Sequence, residues 1–344
     1  MMPGRSTPEY YLYYSVMICI SPGVVANPVQ SDQNRPQYYS VIAENDIYAP
    51  DGQDRHYTNG IRIAHSLQQK NVDGWFIWPD YFSLFDSNPQ SRQFEIAFGQ
   101  NIYTPEYFLT SNPVPEDRPY AGWIYGELSV SSHQPGMIED IAVNLGIVGP
   151  VALAEQGQKL IHKLVDDPKP GGWDNQLHNE PTLLIRYSRS WFLTLFELDS
   201  LKSDLIPRTG FNLGNAFTDA GIGTVFRIGN YLPEQDVPLR IQPGLSGSNS
   251  YIPIRKQEFD WMWFAEIQGR AVAQNIFLDG NTFVDSMSVK KRPFVHDLAT
   301  GVVLGFGQSS LPVYFSFNVV WRGREFELQQ DKDSFGSIMI GIQY

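Results

Sequence analysis

The sequence predicts an all-β chain: one closed antiparallel transmembrane β-barrel of about twelve strands, with a short helix (about 151–167) at its extracellular rim. Three observations predict it. The N-terminus reads as an export signal, segments of about ten residues alternate in polarity along the chain, and the last strand ends on an aromatic residue. The chain has 344 residues, enough for two ordinary domains or one large closed β-structure. Aromatic residues make up 14% and charged residues 18%, richer and poorer respectively than in a typical soluble domain. The 29 glycines and 24 prolines are spread along the whole length, which implies many short elements joined by turns. A net charge of −12 argues against a nucleic-acid partner, because phosphate neutralisation needs clustered Lys and Arg. An acidic surface meets anionic lipid headgroups best through a divalent cation.

The first element is a signal peptide over residues 1–26. Arg5 precedes the apolar run YLYYSVMICISPGVVA, and Val24 and Ala26 hold the small-residue positions of a cleavage site before Asn27. A retained apolar anchor is the alternative, although Ser21, Pro22 and Gly23 interrupt the run and leave it short for a spanning helix. The single cysteine, Cys19, lies inside this segment, so the mature chain, 27–344, has no disulfide framework and forms one barrel domain.

The strands follow. FEIAFGQNIY (94–103), GWIYGELSVS (122–131), IAVNLGIVG (141–149), TLLIRYSRSWF (182–192), GTVFRIGNYL (223–232), FDWMWFAEIQGRAV (259–272) and PVYFSFNVVWRG (312–323) are the clearest. In the last of these, Val313, Phe315, Phe317 and Val319 form an apolar face opposite Tyr314, Ser316, Asn318 and Val320. Trp and Tyr at strand ends match an aromatic girdle. In SIMIGIQY, Ile338, Ile340, Ile342 and Tyr344 share one face. Such a strand can pair with the first and leave no edge bare in lipid. An ordinary soluble sandwich strand is the alternative.

VALAEQGQKLIHKLVDD (151–167) breaks the two-residue period. Leu153, Leu160, Ile161 and Leu164 recur at helical spacing, with Glu155, Gln158 and His162 on the opposite side. The helix is expected to lie against one rim or to plug the mouth partly, and its polar side is either solvated or functional. Neither an HExxH zinc pattern nor a GxSxG nucleophile elbow is present.

Taken in order, ENDIYA (44–49), HYTNGIRI (56–63), FGQNIYTP (98–105), DRPYAGW (117–123), GIVGP (146–150), the helix with Gln158 and His162, GWDNQLHNEP (172–181) and LGNAFTDAGIG (213–223) resemble the outer-membrane lipid A 3′-O-deacylase family. The resemblance runs from the first strand past the middle of the chain; the last third matches mainly as barrel strands. It implies a calcium-dependent outer-membrane hydrolase that removes the ester-linked 3′-acyloxyacyl group from lipid A of lipopolysaccharide, acting as a monomer. It implies a site between barrel wall and helix, with His162, Gln158, Asn45 and Thr58 catalytic and Asp46 with Asn45 holding Ca2+. The acids and amides of the first two strands are expected to line the lumen beside that site.

The chemistry is consistent with these residue types. An imidazole titrates near neutral pH and can take a proton from water, while calcium takes carboxylate, amide and carbonyl oxygens. Thr58 and Asn59 read equally as turn residues, and Asp46 as an ordinary lumen acid. Asp117 and Arg118 read as a structural ion pair, or Arg118 as a substrate-phosphate contact. Trp173, Asp174 and Gln176 read as a rim loop, and Glu155 as a possible support for calcium. One departure stands out: the loop EYFLTSNPVPEDRPY has no Lys or Arg before Arg118, so no residue there takes the role of contacting lipid A phosphates. Two other classes remain open. One is an outer-membrane phospholipase with a serine–histidine pair, for which His65 and Ser66, as neighbours, point to opposite faces. The other is a non-enzymatic porin or adhesin.

Overall fold

The computed structural model describes residues 37–50, 55–67, 92–165, 170–235, 240–241, 244–245, 247, 252–256, 258–308 and 310–344. The expected signal peptide lies outside the described residues. The strands are β1 (Tyr38–Asn45), β2 (His56–Leu67), β3 (Arg92–Thr104), β4 (Ala121–Gln134), β5 (Met137–Val148), β6 (Glu180–Trp191), β7 (Leu193–Glu197), β8 (Lys202–Gly214), β9 (Phe217–Gly229), β10 (Phe259–Asn275), β11 (Phe294–Phe306), β12 (Val313–Arg322) and β13 (Asp333–Gln343). Sequence neighbours pair antiparallel, and β1 pairs β13 with Val41 opposite Ile340. The ring closes because β6 and β7 both pair β8. Only Phe192 separates those two segments, so they form one stave, and the barrel has the twelve staves the alternation predicted.

Alternation assigns the faces. Along β1, Tyr39 and Val41 are exposed while Tyr38, Ser40, Ile42 and Glu44 are buried. Ile61 and Ile63, Ile96 and Phe98, and Ile340 and Ile342 continue the exposed apolar wall, the surface a barrel turns to lipid. The opposite face fills the lumen with charge. Glu127 accepts hydrogen bonds from Arg62 Nη2 at 2.6 Å, Arg186 Nη1 at 2.6 Å and Asn144 Nδ2 at 2.7 Å. Asp297 pairs Arg322 and Arg240, each at 3.1 Å, and Glu266 pairs Arg208 at 3.0 Å and Arg240 at 3.2 Å. Buried carboxylates and guanidiniums persist only when so matched.

The lumen is also plugged. From the β9–β10 connection, Ile241 donates its N–H to Glu44 at 2.9 Å and Leu245 to Gln268 at 3.1 Å. At the other end Phe277, on the short helix α2 (Ile276–Asp279), stacks on Tyr103 with centroids 4.1 Å apart, beside Trp123 and Phe217. Ion pairs and stacked rings thus occupy the lumen among the described residues. His65 stacks on Tyr39 of the outer face, whereas the Ser66 hydroxyl accepts from the Tyr38 N–H. The two therefore point apart, as their adjacency implied.

Candidate active site

The predicted helix is α1, Ala154–Val165, preceded by a 3-10 turn at Pro150–Ala152. Leu153 stands between them in the left-handed region at φ 56°, which redirects the chain along the barrel. The helix packs on β3 and β4, and it does so from outside. On β3, Gln100, Ile102 and Thr104 share the parity of exposed Ile96 and Phe98, yet Ile102 and Thr104 are buried because the helix and its flanking loops cover them. The Gln100 amide donates to the Ala152 carbonyl at 2.6 Å. Gly122 lies on the outer face of β4, where a Cβ would meet the Cβ of Ala154; glycine here permits the close approach of helix and wall.

The stripe that docks is Ala154, Gln158 and His162, buried at successive turns, while Leu153 and Leu160 are exposed at 54% and 59%. The polar side is therefore neither solvated nor a lumen plug. Around an outer-membrane barrel the surroundings of the rim include lipid, so apolar residues face out and the polar stripe is left to the wall.

Gln158 has a fixed orientation. The Trp173 indole, buried on the 3-10 turn Trp173–Asn175, donates to Gln158 Oε1 at 2.8 Å. An indole is donor only, so the amide oxygen must face it. Gln158 Nε2 then points away, buried and without a hydrogen-bond partner among the described residues. One turn on, the buried His162 ring meets Phe108 edge-on at 5.7 Å. Glu155 turns outward instead, to an ion pair with Lys159.

Asn45, Asp46 and Thr58 reach the same rim and outer face from β1 and β2. Asn45 has the parity of exposed Val41 and pairs Asn59 and Gly336. Its Oδ1 accepts the Ile47 N–H at 2.8 Å and caps the 3-10 turn Asp46–Tyr48. Asp46 Oδ2 accepts the Arg55 N–H at 2.8 Å.

Thr58 should face the lumen with Gly60 and Arg62. The β2–β3 register, however, slips between Tyr57 and Asn59, a β-bulge at Thr58 that turns its side chain outward. There its hydroxyl bonds that of Thr104 at 2.7 Å, two residues along the face from Ile102. This corrects the expectation that the acids and amides line the lumen. Glu44 does, bound by the Tyr57 hydroxyl at 2.8 Å; Asn45 and Thr58 do not, because alternation and the bulge send them the other way.

Arg118 is placed apart from this group. Buried at 1% exposure, it lies over the lumen-facing ring of Tyr103 at 4.9 Å and reaches Glu325 at 3.4 Å. Its link to Asp117 is a backbone hydrogen bond, Arg118 N–H to Asp117 Oδ1 at 2.7 Å, in place of the ion pair the sequence suggested. Asp117 takes the His56 Nε2 at 3.4 Å and the Glu106 N–H at 2.6 Å, and His56 Nδ1 meets Asp333 at 2.6 Å. Burial alone would raise the Asp117 carboxyl, but the hydrogen bond and charge of His56 hold it below the usual range. Thr104, Trp173 and Arg55 were missed as site residues. The GWDNQLHNEP motif signalled Trp173; nothing local marks the other two.

The donors available to a cation are the Asp46 carboxylate, the Thr58 and Thr104 hydroxyls and nearby carbonyls, with the Asn45 amide oxygen already engaged in capping. No three His, Cys, Asp or Glu converge to hold a metal among the described residues. An all-oxygen, mostly neutral set of this kind fits a hard cation completed by backbone and water, not zinc.

The family model described as outer membrane protein LpxR matches residues 12–344. Among solved structures, LpxR from Salmonella typhimurium matches with TM-score 0.71 and 20% identity, covering 89% of this chain and 100% of that one. At that identity the likeness speaks for the fold. The β-domain of the Bordetella autotransporter BrkA matches at TM-score 0.44 and 10% identity, over 90% of this chain and 98% of that one, too weakly to add an argument. No curated protein matches the sequence. The ordered motifs, the twelve-stave barrel and the family match agree: this chain belongs to the LpxR family of bacterial outer membrane proteins, the lipid A deacylase family its motifs resemble.

Proposed function

We propose that this protein is a calcium-dependent hydrolase that removes the ester-linked 3′-acyloxyacyl group from lipid A of lipopolysaccharide, with His162 activating the attacking water. The observation that carries the reading is a buried His162–Gln158 stripe clamped against the lipid-facing wall, on the same rim and face as Asn45, Asp46 and Thr58. A lipid in the outer leaflet has its acyl chains along that wall and its ester bonds near the rim, where these groups lie.

In this reading His162 takes a proton from water as the oxygen attacks the ester carbonyl. The unpartnered Gln158 N–H is directed at the oxygen on which negative charge develops. The imidazolium then gives that proton to the departing sugar oxygen as the carbonyl carbon–oxygen bond breaks, leaving a sugar hydroxyl and the acyloxyacyl acid. Asp46, and with it the Thr58 and Thr104 hydroxyls of the same outer face, would hold the calcium, which when bound supplies positive charge to polarise the carbonyl. Asn45 shapes the turn that presents Asp46.

Mass spectrometry of lipid A incubated with detergent-purified protein tests this. The expected result is loss of one acyloxyacyl group with calcium and no loss with a chelator. An unchanged mass spectrum from folded, calcium-loaded protein would reject the activity, and equal turnover in chelator would reject the metal.

Trp173 is a positioning residue for this chemistry. Trp173→Phe removes the donor that fixes the Gln158 amide, and kcat is expected to fall about tenfold, the worth of one buried hydrogen bond, with KM nearly unchanged. In a Gln158→Ala background the same change should add nothing. An additive loss in that double variant would show that Trp173 acts on packing alone.

A further inference from the structure

Beside Asp46, on the side away from α1, a cleft of about 630 Å³ opens between β12, β13 and the loop joining them. Arg55, Trp321, Arg324, Asp331, Lys332 and Ser334 are among its lining residues. Trp321 and Ser334 face each other across the two strands and share the outer parity of exposed Ile340 and Ile342, so the cleft lies on the lipid-facing side. It is joined to the candidate active site through Arg55, whose backbone N–H binds Asp46 at 2.8 Å while its guanidinium enters the cleft.

The charges in the cleft are unevenly satisfied. Arg55 is held by Glu106 at 2.8 Å and lies 3.7 Å from Asp331. Asp333 is occupied by His56 at 2.6 Å. Arg324 and Lys332 are exposed, and their charged groups have no partner among the described residues. In a barrel whose buried arginines are matched to carboxylates, two unmatched cations in one cleft, beside a Trp at the level of the girdle, describe a place for an anionic lipid headgroup. The loop 106–117, by contrast, offers no cation at all.

We propose that this cleft binds the phosphate-bearing sugar headgroup of the acylated glycolipid substrate, with Arg324 and Lys332 as the phosphate contacts and Trp321 against the sugar or the first acyl carbons. The assignment rests on the deacylase reading. It moves the anion-binding end of the site from the β3–β4 loop to the β12–β13 loop, so the headgroup spans from the cleft across Asp46 to the helix.

The test compares wild type with an Arg324→Ala/Lys332→Ala variant, using phosphorylated lipid A and the same lipid after phosphatase treatment. KM for the phosphorylated lipid is expected to rise about tenfold or more in the variant, and for the dephosphorylated lipid by less than about twofold. Binding of both lipids to a His162→Ala background, read by Trp fluorescence, measures the contact without turnover. Equal KM and equal binding in wild type and variant would overturn the cleft while leaving deacylation intact. Weaker binding with unchanged KM would assign the cleft to a neighbouring lipid and overturn its place in substrate recognition. Selective binding without any turnover would uphold the cleft as a headgroup site and reject the deacylase reading instead. Competition by inorganic phosphate at millimolar levels, matching that of the lipid, would reduce the site to a free-anion site.

Discussion

His162→Ala is expected to lower kcat/KM for lipid A deacylation by roughly 10²- to 10⁴-fold, the usual worth of a general base. The expectation follows from position as much as from residue type. His162 is buried against the wall at 4% exposure, one helical turn from Gln158, whose free N–H faces away from Trp173. Removing the imidazole leaves the Gln158 donor and the Asp46 turn in place, so lipid binding should survive and the loss should fall on kcat. The measurement is initial rates by mass spectrometry, beside a binding curve for the same variant. A variant that turns lipid A over at the parental rate would sink the assignment of His162, whatever base replaces it. Because the helix packs on the outside of the wall and the ring meets the loop residue Phe108 edge-on at 5.7 Å, the barrel itself should remain folded, seen as an unshifted gel mobility of the unheated protein.

The second large effect is on stability. Glu127→Ala removes the carboxylate shared by Arg62, Arg186 and Asn144 in the lumen. Breaking a buried ion-pair network from one side strands charge in a low-dielectric interior and costs about 3–5 kcal/mol. The variant should unfold at a clearly lower urea concentration in detergent, with the slope of the transition preserved. Rates per folded molecule should change little, since Glu127 faces the lumen and the helix lies outside. Unfolding at the parental urea concentration would mean that the network contributes specificity but not stability.

These two expectations draw on different parts of the sequence. The barrel was legible because its information is local: period-two alternation assigns each strand its faces, and Tyr39, Val41, Ile340 and Ile342 could be placed on the wall from parity alone. The even stave count survived even where Phe192 interrupts one strand. The helix was legible too, but its orientation was not. Spacing put Gln158 and His162 on one face and the leucines on another; it could not say which face is covered, because that depends on whether water or lipid surrounds the rim.

Thr58 shows the other limit. Counting in twos from Arg62 sends it into the lumen, and only the register slip against β3 turns it outward to Thr104. A bulge is a property of two strands distant in sequence, so neither segment carries it alone. Arg118 and Asp117 failed as an ion pair for the same reason, since their charged partners, Glu325 and His56, arrive from other parts of the barrel. By itself, then, the sequence determined the barrel, its lipid-facing wall and the helix, while the candidate site residues came only through the family resemblance. The tertiary structure alone decided that the helix and Thr58 lie on the outside of the wall and that Arg118 belongs to the mouth, because faces are set by local periodicity, whereas bulges, helix orientation and buried charge pairs are set by contacts between segments far apart in the chain.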